Sequence, residues 1–397
     1  MSGNASWRRG GCGQDRPLLL GDRTGHDHER PPAGCEPAFD DGLVALEGAL
    51  HRIAAGAQAR DAGAPAFPDD AFELLRDAGA LRFNARAVTE RPPAAIELDL
   101  VRRVARADGS VGRIFDGHLN GVERLCVQAP AELHERELEA VRAGRLRVGV
   151  WGGDPVGDEG PPATLARAGG REVLRGVKTF CSGAGGLHRA LVLARGSVGR
   201  APVAAWVDLT DPERVRIDDR WYRGHGMIAS VSHRVVFHDA PVLARLGPPG
   251  AIAAQPWFAR DALRTAASWA GMADTALAAA LASIAARPQR GELEALAAGR
   301  MLTEHRTIDA WLQVAAAAMD GADPGLAEIA LHARATIHRS CGALLDEAAR
   351  ACGSRPFARG GPLDRARRDL ELFLLQHRLD PLLARAGEAA LVEAASS

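Results

Sequence analysis

The stretch RGVKTFCSGAGG, residues 175–186, places an aromatic and a hydroxyl side chain two positions apart. Its β-rich first half predicts a strand, and residues two apart on a strand point to the same face. Phe180 and Ser182 would then present a ring surface and a hydrogen-bond donor side by side, an arrangement that suits a flat redox ring. Packing of an ordinary sheet face explains the same pair equally well. The residues alone leave both interpretations open.

Lys178 is the only lysine in a chain with 49 lysine and arginine residues in total. A compact ammonium in place of a planar guanidinium indicates a site such as the underside of a turn, where a point charge serves better. A strand lysine with no special role is an equally good interpretation. The glycines that follow are not a dinucleotide-binding fingerprint, because they do not lead into a helix within a βαβ unit.

The composition predicts an ordinary globular protein and excludes several classes of partner. The chain has 397 residues, 47% hydrophobic and 25% charged, with a formal net charge of −1. Because acidic residues and arginines are mixed along the sequence, we expect no nucleic-acid partner and no binding to a membrane surface. The six cysteines form no CxxC pair, which favours free thiols and predicts no metal site. We therefore expect a cytoplasmic location.

The hydrophobic period changes along the chain and predicts an α+β fold. Residues 1–36 show no period and are predicted to be a disordered tail. Residues 37–145 follow a helical period and predict an N-terminal helical domain. Residues 146–243 follow a period of two, with a hairpin at Gly169-Gly170, and their short connections predict a small antiparallel β domain. Residues 244–397 are alanine-rich and helical again, which predicts a C-terminal four-helix bundle.

This order of elements, together with four motifs, resembles the acyl-CoA dehydrogenase superfamily, including its flavin-dependent monooxygenase branch related to dibenzothiophene monooxygenase. The resemblance covers about Phe39 to Gly387. Its motifs are GVKTFCSGAGGLHRALVLAR, GHGMIASVSHRVVFHDAPV, ADGSVGRIFDGHLNG and PLDRARRDLELFLLQH. The FCSGA and Asp-Gly-Ser wording is closer to the monooxygenase branch.

The resemblance implies that one face of the β domain binds FAD. Phe180 takes the place where dehydrogenases have a tryptophan against the isoalloxazine ring. Ser182 takes that of the Thr or Ser that bonds to flavin N5. The loop VWGGDPVGDEGP departs from the family sequence, but backbone groups of Trp151 to Gly153 could still contact the flavin pyrimidine.

The resemblance also implies contacts to the distant half of FAD. Arg287, four residues before Gly291, takes the place of the family arginine that reaches the diphosphate. Gly353 and Ser354 stand where the family's Gly-Gly turn contacts the adenosine part. Both segments also fit ordinary helix ends.

The family's catalytic glutamate is missing. Counted from the RRD motif, its position falls on His377, an imidazole that can act as a base at neutral pH. A histidine that simply ends a helix is the alternative. A second glutamate position of the family falls near Asp261, which an ion pair with Arg260 or Arg264 would explain as well.

The resemblance implies an enzyme that is a homodimer or homotetramer. We expect α,β-dehydrogenation of an acyl thioester, with electron-transfer flavoprotein as partner. The alternatives are a two-component monooxygenase served by a flavin reductase and a non-catalytic subunit that keeps the fold. The substrate is a small acyl or aromatic molecule, which His118 and Asn120 would contact unless they only satisfy a buried turn.

Overall fold

The structure is a computed structural model that describes residues 37–196, 201–376 and 378–396. From Asp41 onward the chain forms one compact unit. The predicted disordered tail, residues 1–36, lies outside the described residues. The division of the rest into three domains stays a prediction. None of the described helices is long and apolar enough to cross a membrane.

The first part of the chain is helical, as its period predicts. The helix α4 begins after Asp108, whose Oδ1 accepts a hydrogen bond from the Val111 backbone N at 3.1 Å, as expected of an N-cap. Its apolar side chains, such as Ile114, Phe115 and Leu119, are buried. The helices are α1 (Pro37–Ala62), α2 (Asp69–Asp77), α3 (Ala94–Ala107), α4 (Gly109–Gln128) and α5 (Ala131–Arg142), with short 3₁₀ turns at Ala80–Arg82 and Val88–Glu90.

Seven strands follow in the part of the chain that the structure describes, and five of them form a closed ring of pairings in the order β4, β2, β3, β7 and β5, with β5 pairing back to β4. The predicted hairpin is confirmed, since Gly169 and Gly170 both have positive φ between paired β2 and β3. The strands are β1 (Val148–Trp151), β2 (Thr164–Ala168), β3 (Arg171–Cys181), β4 (Arg189–Arg195), β5 (Pro202–Asp208), β6 (Val215–Asp218) and β7 (His233–Arg245).

The sheet is mixed, whereas the short connections predicted only antiparallel pairs. β1 pairs with β4 in parallel, and so does one residue of β2, through Thr164 and Arg195. The reason is that β4 does not follow β1 directly. The β2–β3 hairpin lies between them in the chain, which gives β4 the length to return in the direction of β1. The other pairings are antiparallel.

The last part of the chain is a helical bundle. The three long helices α6, α7 and α8 pack on one another, α10 packs on α6 and α8, and α3 packs against α6 and α7. One hydrophobic core runs from these helices into the strands. The helices are α6 (Trp257–Ala285), α7 (Glu292–Asp320), α8 (Leu326–Cys352), α9 (Arg355–Arg359), α10 (Pro362–Leu374) and α11 (Asp380–Ser396). The predicted α+β order of helices, strands and helices is confirmed.

Gly271 sets the approach of α6 to α3. A Cβ atom at this position would collide with the carbonyl oxygen of Arg102 and would lie 2.8 Å from the backbone N of Arg106. Because both obstacles are backbone atoms, side-chain rotation cannot relieve them. The absence of a side chain at Gly271 therefore lets the bundle pack directly on the N-terminal helices.

We expect Gly271→Ala to lower the free energy of unfolding by about 1–3 kcal/mol, because the two helices must separate. The measurement is urea denaturation followed by circular dichroism. Gly299→Ala on α7 is the matched control, since a Cβ atom there meets nothing within 4 Å. The control should be neutral or up to about 1 kcal/mol more stable, because alanine favours a helix. Equal effects of the two substitutions would contradict the packing argument.

Candidate functional site

The end of β3 exposes an aromatic ring. Phe180 has φ +52°, and its side chain is 58% exposed. Its ring meets that of Trp221 edge to face, with centroids 4.9 Å apart. The strand ends at Cys181, so Ser182 already lies in a turn, with its N donating to the Phe180 carbonyl at 3.0 Å. Strand alternation was therefore the wrong reason to place Phe180 and Ser182 together, because the backbone leaves the extended region at Phe180.

Ser182 begins a chain of three hydroxyl groups, which we call the serine chain: Ser182, Ser232 and Ser230. Ser182 Oγ lies 2.9 Å from Ser232 Oγ, which lies 2.8 Å from Ser230 Oγ. Trp151 Nε1 donates to the Ser182 carbonyl at 3.0 Å, so this buried indole supports the turn rather than facing a ligand. Sequence reasoning missed Ser230 and Ser232, although the motif GHGMIASVSHRVVFHDAPV contains both of them.

Lys178 fastens the loop after β1 to β3. Its buried ammonium lies 2.7 Å from Asp154 Oδ1 and donates to the Gly152 carbonyl at 3.2 Å. Thr179 N donates to the Gly153 carbonyl at 3.0 Å, and a Cβ atom on Gly153 would collide with the Thr179 carbonyl oxygen. An ammonium under a turn is thus the role that the sequence suggested for the single lysine. Gly153 serves this packing, which brings the loop next to Phe180.

Asp369 of α10 holds the segment that carries the serine chain. Its Oδ1 accepts a hydrogen bond from the Met227 backbone N at 2.5 Å, where Met227 has φ +52°. Tyr222 donates its hydroxyl to the Gly226 carbonyl at 2.7 Å. Burial raises the pKa of Asp369 to about 7. The motif on α10 and the motif before β7, far apart in sequence, therefore meet at this carboxyl group.

We expect Asp369 to make the folded state less stable as pH rises. Its pKa is raised from 3.8 to about 7, so between these values the folded state binds more protons than the unfolded state, and the free energy of unfolding falls. Asp369→Asn keeps the acceptor for Met227 N but cannot ionise. Relative to the wild type, the variant should therefore gain on the order of 2–4 kcal/mol between pH 4.5 and pH 8.

Urea denaturation across this pH range is the measurement. Asp99→Asn on α3, where the carboxylate side chain is 61% exposed, is the matched control. The control should follow the pH dependence of the wild type. Parallel curves for wild type and Asp369→Asn would show that Asp369 is already ionised at low pH.

His118 occupies the buried-turn role that the sequence offered as an alternative. The ring is completely buried, its Nε2 donates to the Leu81 carbonyl at 2.7 Å, and its Nδ1 accepts from Val148 N at 3.1 Å. Burial lowers its pKa to about 4, so the ring is neutral. Both nitrogens are occupied by backbone groups, which argues against a contact with substrate and makes His118 a link between α4 and β1.

Asp261 and Asn120 belong to a buried group of charged residues that we call the ion network. Arg264, at its centre, contacts Glu97 at 2.7 Å, Glu123 at 2.8 Å and the Asn120 Oδ1 at 3.0 Å. The carboxylate of Asp261 lies 2.5 Å from Arg124 and 3.2 Å from Arg264. The network consists of Arg91, Glu97, Asn120, Glu123, Arg124, Arg260, Asp261 and Arg264.

Asp261 therefore forms the ion pair with Arg264 that the sequence suggested and a second one with Arg124, and both guanidinium groups are completely buried. Burial raises its pKa to about 7, while Arg124 and Arg264 oppose this rise. Its position between two guanidinium groups argues against a role as a free base. Asn120 is likewise held on both sides, since its Nδ2 donates to Asp116 Oδ1 at 2.9 Å.

Arg287, Gly353 and Ser354 lie near one another. Arg287 Nη1 is 2.9 Å from Glu294 Oε1, and its Nη2 donates to the Ala351 carbonyl, two residues before Gly353. Gly353 has φ +72° at the end of α8, and Ser354 is exposed at the start of α9. No contact described here joins this group to Phe180 or Ser182. His377 lies outside the described residues, and its role stays a prediction.

No protein-family model and no curated protein matches the chain, but solved structures do. TdsC from Paenibacillus sp. A11-2, a dibenzothiophene monooxygenase, was solved with FMN and indole; it is 20% identical, with a TM-score of 0.77 over 89% of this chain and 98% of that one. A nitrososynthase from Micromonospora carbonacea var. africana is 24% identical, with a TM-score of 0.76 over 90% and 98%.

KijD3, solved with FMN and dTDP-3-amino-2,3,6-trideoxy-4-keto-3-methyl-D-glucose, is 22% identical, with a TM-score of 0.75 over 89% of this chain and 95% of that chain. Sequence identities this low establish a fold but not a reaction. The chain has the acyl-CoA dehydrogenase fold, as its motifs predicted.

Proposed function

We propose that the protein is a flavin-dependent monooxygenase that uses reduced FMN and oxygen on a small organic substrate. One observation carries this proposal: an exposed aromatic ring, Phe180, stands at a left-handed backbone position in the turn that leads to Ser182, whose N donates to the Phe180 carbonyl. A strained backbone conformation at an exposed residue is a feature that indicates a functional site. TdsC, which has the same fold, was solved with FMN.

The residues at the end of β3 fit a flavin. Phe180 supplies an apolar surface for a flat ring, and Ser182 supplies a hydroxyl whose orientation is fixed by Ser232 and Ser230. A hydroxyl can donate to or accept from a ring nitrogen as its protonation changes. The bound flavin would supply two-electron redox chemistry and, when reduced, reactivity toward oxygen. The chain contributes the ring surface and the hydrogen bond.

The contacts of Arg287 favour FMN over the FAD that the sequence predicted. The guanidinium already has Glu294 as its ion pair and the Ala351 carbonyl as its acceptor. A diphosphate would have to compete with Glu294 for this arginine. FMN lacks the adenosine half of FAD and therefore needs no contact with this arginine.

Oxygenation is favoured over acyl-thioester dehydrogenation because the described candidate for a carboxylate base is engaged. Dehydrogenation needs a free base for the α-proton, and Asp261 is held by Arg124 and Arg264. Oxygenation needs a supply of reduced flavin. The described strands and helices contain no βαβ unit for a nicotinamide cofactor, so a separate flavin reductase is the proposed partner in place of an electron-transfer flavoprotein.

Flavin binding tests the site. We expect the fluorescence of FMN to be quenched when it is titrated with the protein. FMN should bind at least about tenfold more weakly to Phe180→Ala, which loses the ring surface, and to Ser182→Ala, which loses a hydrogen bond. Phe258→Ala, which removes another exposed phenylalanine, on α6, is the matched control. A preference for FAD would overturn the FMN assignment. Absence of binding to either flavin would favour the non-catalytic subunit.

Oxygen reactivity tests the reaction. When protein loaded anaerobically with reduced FMN is mixed with oxygen, the flavin should be reoxidised in two resolved absorbance phases. The reason is that a monooxygenase site protects activated oxygen from water. The measurement is stopped-flow spectroscopy, with indole as a probe substrate. A single slow phase, unaffected by indole, would indicate a dehydrogenase site that suppresses oxygen chemistry.

A further inference from the structure

Arg334 of α8 is a buried cation without a partner. The residue is 6% exposed, and its Nε and Nη2 have no hydrogen-bond acceptor. Among the described residues no carboxylate lies within ion-pair distance of it. Its guanidinium lies over the ring of Trp269, 5.3 Å from the centroid. A buried charge is normally paired, because the interior cannot replace the water that it loses. Arg334 therefore lacks the anionic partner that a buried charge normally has.

The two free nitrogens identify the shape of the missing partner. Nε–H and Nη2–H lie on the same edge of the planar guanidinium and point in parallel. This edge accepts the two oxygens of a carboxylate in a bidentate pair. Both nitrogens on one edge are free, so the unoccupied position is one that a planar two-oxygen anion fills.

The surroundings of Arg334 add a second donor and a second cation. Trp269 Nε1 is buried and has no acceptor. The Trp269 ring meets Phe373 at 6.1 Å, and Arg113 lies 5.5 Å from the centroid of that phenylalanine. We call Arg113, Trp269, Arg334 and Phe373 the donor cluster. Burial lowers the pKa of Arg334 to about 10, which leaves it charged at neutral pH.

The carboxylate nearest to the donor cluster is already occupied. Asp116 lies 3.6 Å from Arg113 and accepts hydrogen bonds from Asn120 at 2.9 Å and Thr265 at 3.1 Å. It attracts Arg334 only at longer range. Two guanidinium groups thus share one carboxylate, and the interior here keeps a net positive charge.

The donor cluster adjoins the candidate flavin site. A Cβ atom on Gly117 would lie 3.6 Å from Arg113 Nη1 and 4.0 Å from the backbone N of Val150. Arg113 therefore lies near β1, whose last residue, Trp151, supports Ser182. Ile114, the next residue of α4, lies 3.1 Å from the position of a Cβ atom on Gly183, the neighbour of Ser182. The donor cluster and the turn that follows Ser182 therefore reach α4 at consecutive residues.

We propose that the substrate carries a carboxylate and that Arg334 binds this group through its Nε and Nη2 edge, with Trp269 Nε1 as a further donor. This proposal rests on the proposed function, since it assigns the substrate class of the same site. It makes Arg334 a specificity-determining residue. A structural role for Arg334, stacking on Trp269 alone, is the competing explanation.

Thermal unfolding of the flavin-free protein with benzoate and with benzamide tests the proposal, because the two probes differ in charge but hardly in shape. We expect benzoate to raise the Tm of the wild type by about 2–5 °C at saturating concentration, with little effect of benzamide. Arg334→Met should weaken benzoate binding by about 30-fold or more, and Arg334→Lys by less, because a lysine keeps the charge but not the bidentate edge. Arg339→Met, at an exposed position of the same helix, is the control.

The unliganded proteins give a readout that separates the two explanations. If Arg334 is kept for an anion, Arg334→Met without ligand should have a Tm equal to or above that of the wild type, because an uncompensated buried charge is removed. If stacking on Trp269 is its purpose, the Tm should fall. Should Arg334→Met fail to fold, the ligand-binding proposal is wrong.

Trp269→Phe keeps a ring for stacking but removes the indole donor, and we expect it to weaken benzoate binding by about threefold to tenfold. No shift with benzoate in the wild type, an equal shift with benzamide, or an undiminished shift in Arg334→Met would overturn the proposal. Since the assay contains no flavin, its outcome is independent of the flavin titration. If FMN does not bind but benzoate does, the proposed flavin function is wrong and the anion site remains supported.

Discussion

The ion network around Arg264 is the interaction on which the arrangement of the helices depends. This guanidinium is completely buried and bridges Glu97 of α3 and Glu123 of α4 from its place on α6. Removing one member would leave buried charges without partners, which costs about 3–5 kcal/mol. The network therefore specifies one register of three helices that apolar packing of alanine-rich faces would leave poorly defined. Gly271, on the same α6, allows the close approach that this register needs.

The position of α4 in turn fixes the position of the strands. His118, on the same helix as Glu123, bonds to Val148 N at the start of β1. Val148 leads to Trp151, whose indole holds the turn of Ser182. A second link runs from α10, where Asp369 bonds to Met227 N just before the other two serines. The hydroxyl groups of the candidate site are thus positioned by helices from both ends of the chain.

The proposed chemistry follows from what this frame leaves available. The polar groups that first suggested catalysis or substrate contact, Asp261, His118 and Asn120, are used to hold elements together. Two groups of the described residues remain available to a ligand: the exposed ring of Phe180, and the unpaired Nε and Nη2 edge of Arg334. A flat cofactor at Phe180 and an acidic substrate at Arg334 would satisfy both.

The order of helices, strands and helices follows from the amino-acid sequence alone, because the hydrophobic period is a local property of each segment. The sequence also predicted Phe180 and Ser182 as site residues through a contiguous motif, and it suggested the role of Lys178 under a turn. The parallel pairing of β1 with β4 and the left-handed backbone at Phe180 were decided only by tertiary structure. The roles of Asp261 and His118 also depend on tertiary structure. Both are residue types that are common at catalytic sites, but partners distant in sequence occupy their polar atoms. Arg334 could not be found from the sequence at all, since one arginine among 48 becomes informative only when its burial and its missing partner are known. Pairing between distant residues is a property of the folded chain, and it decides which polar groups remain free to act.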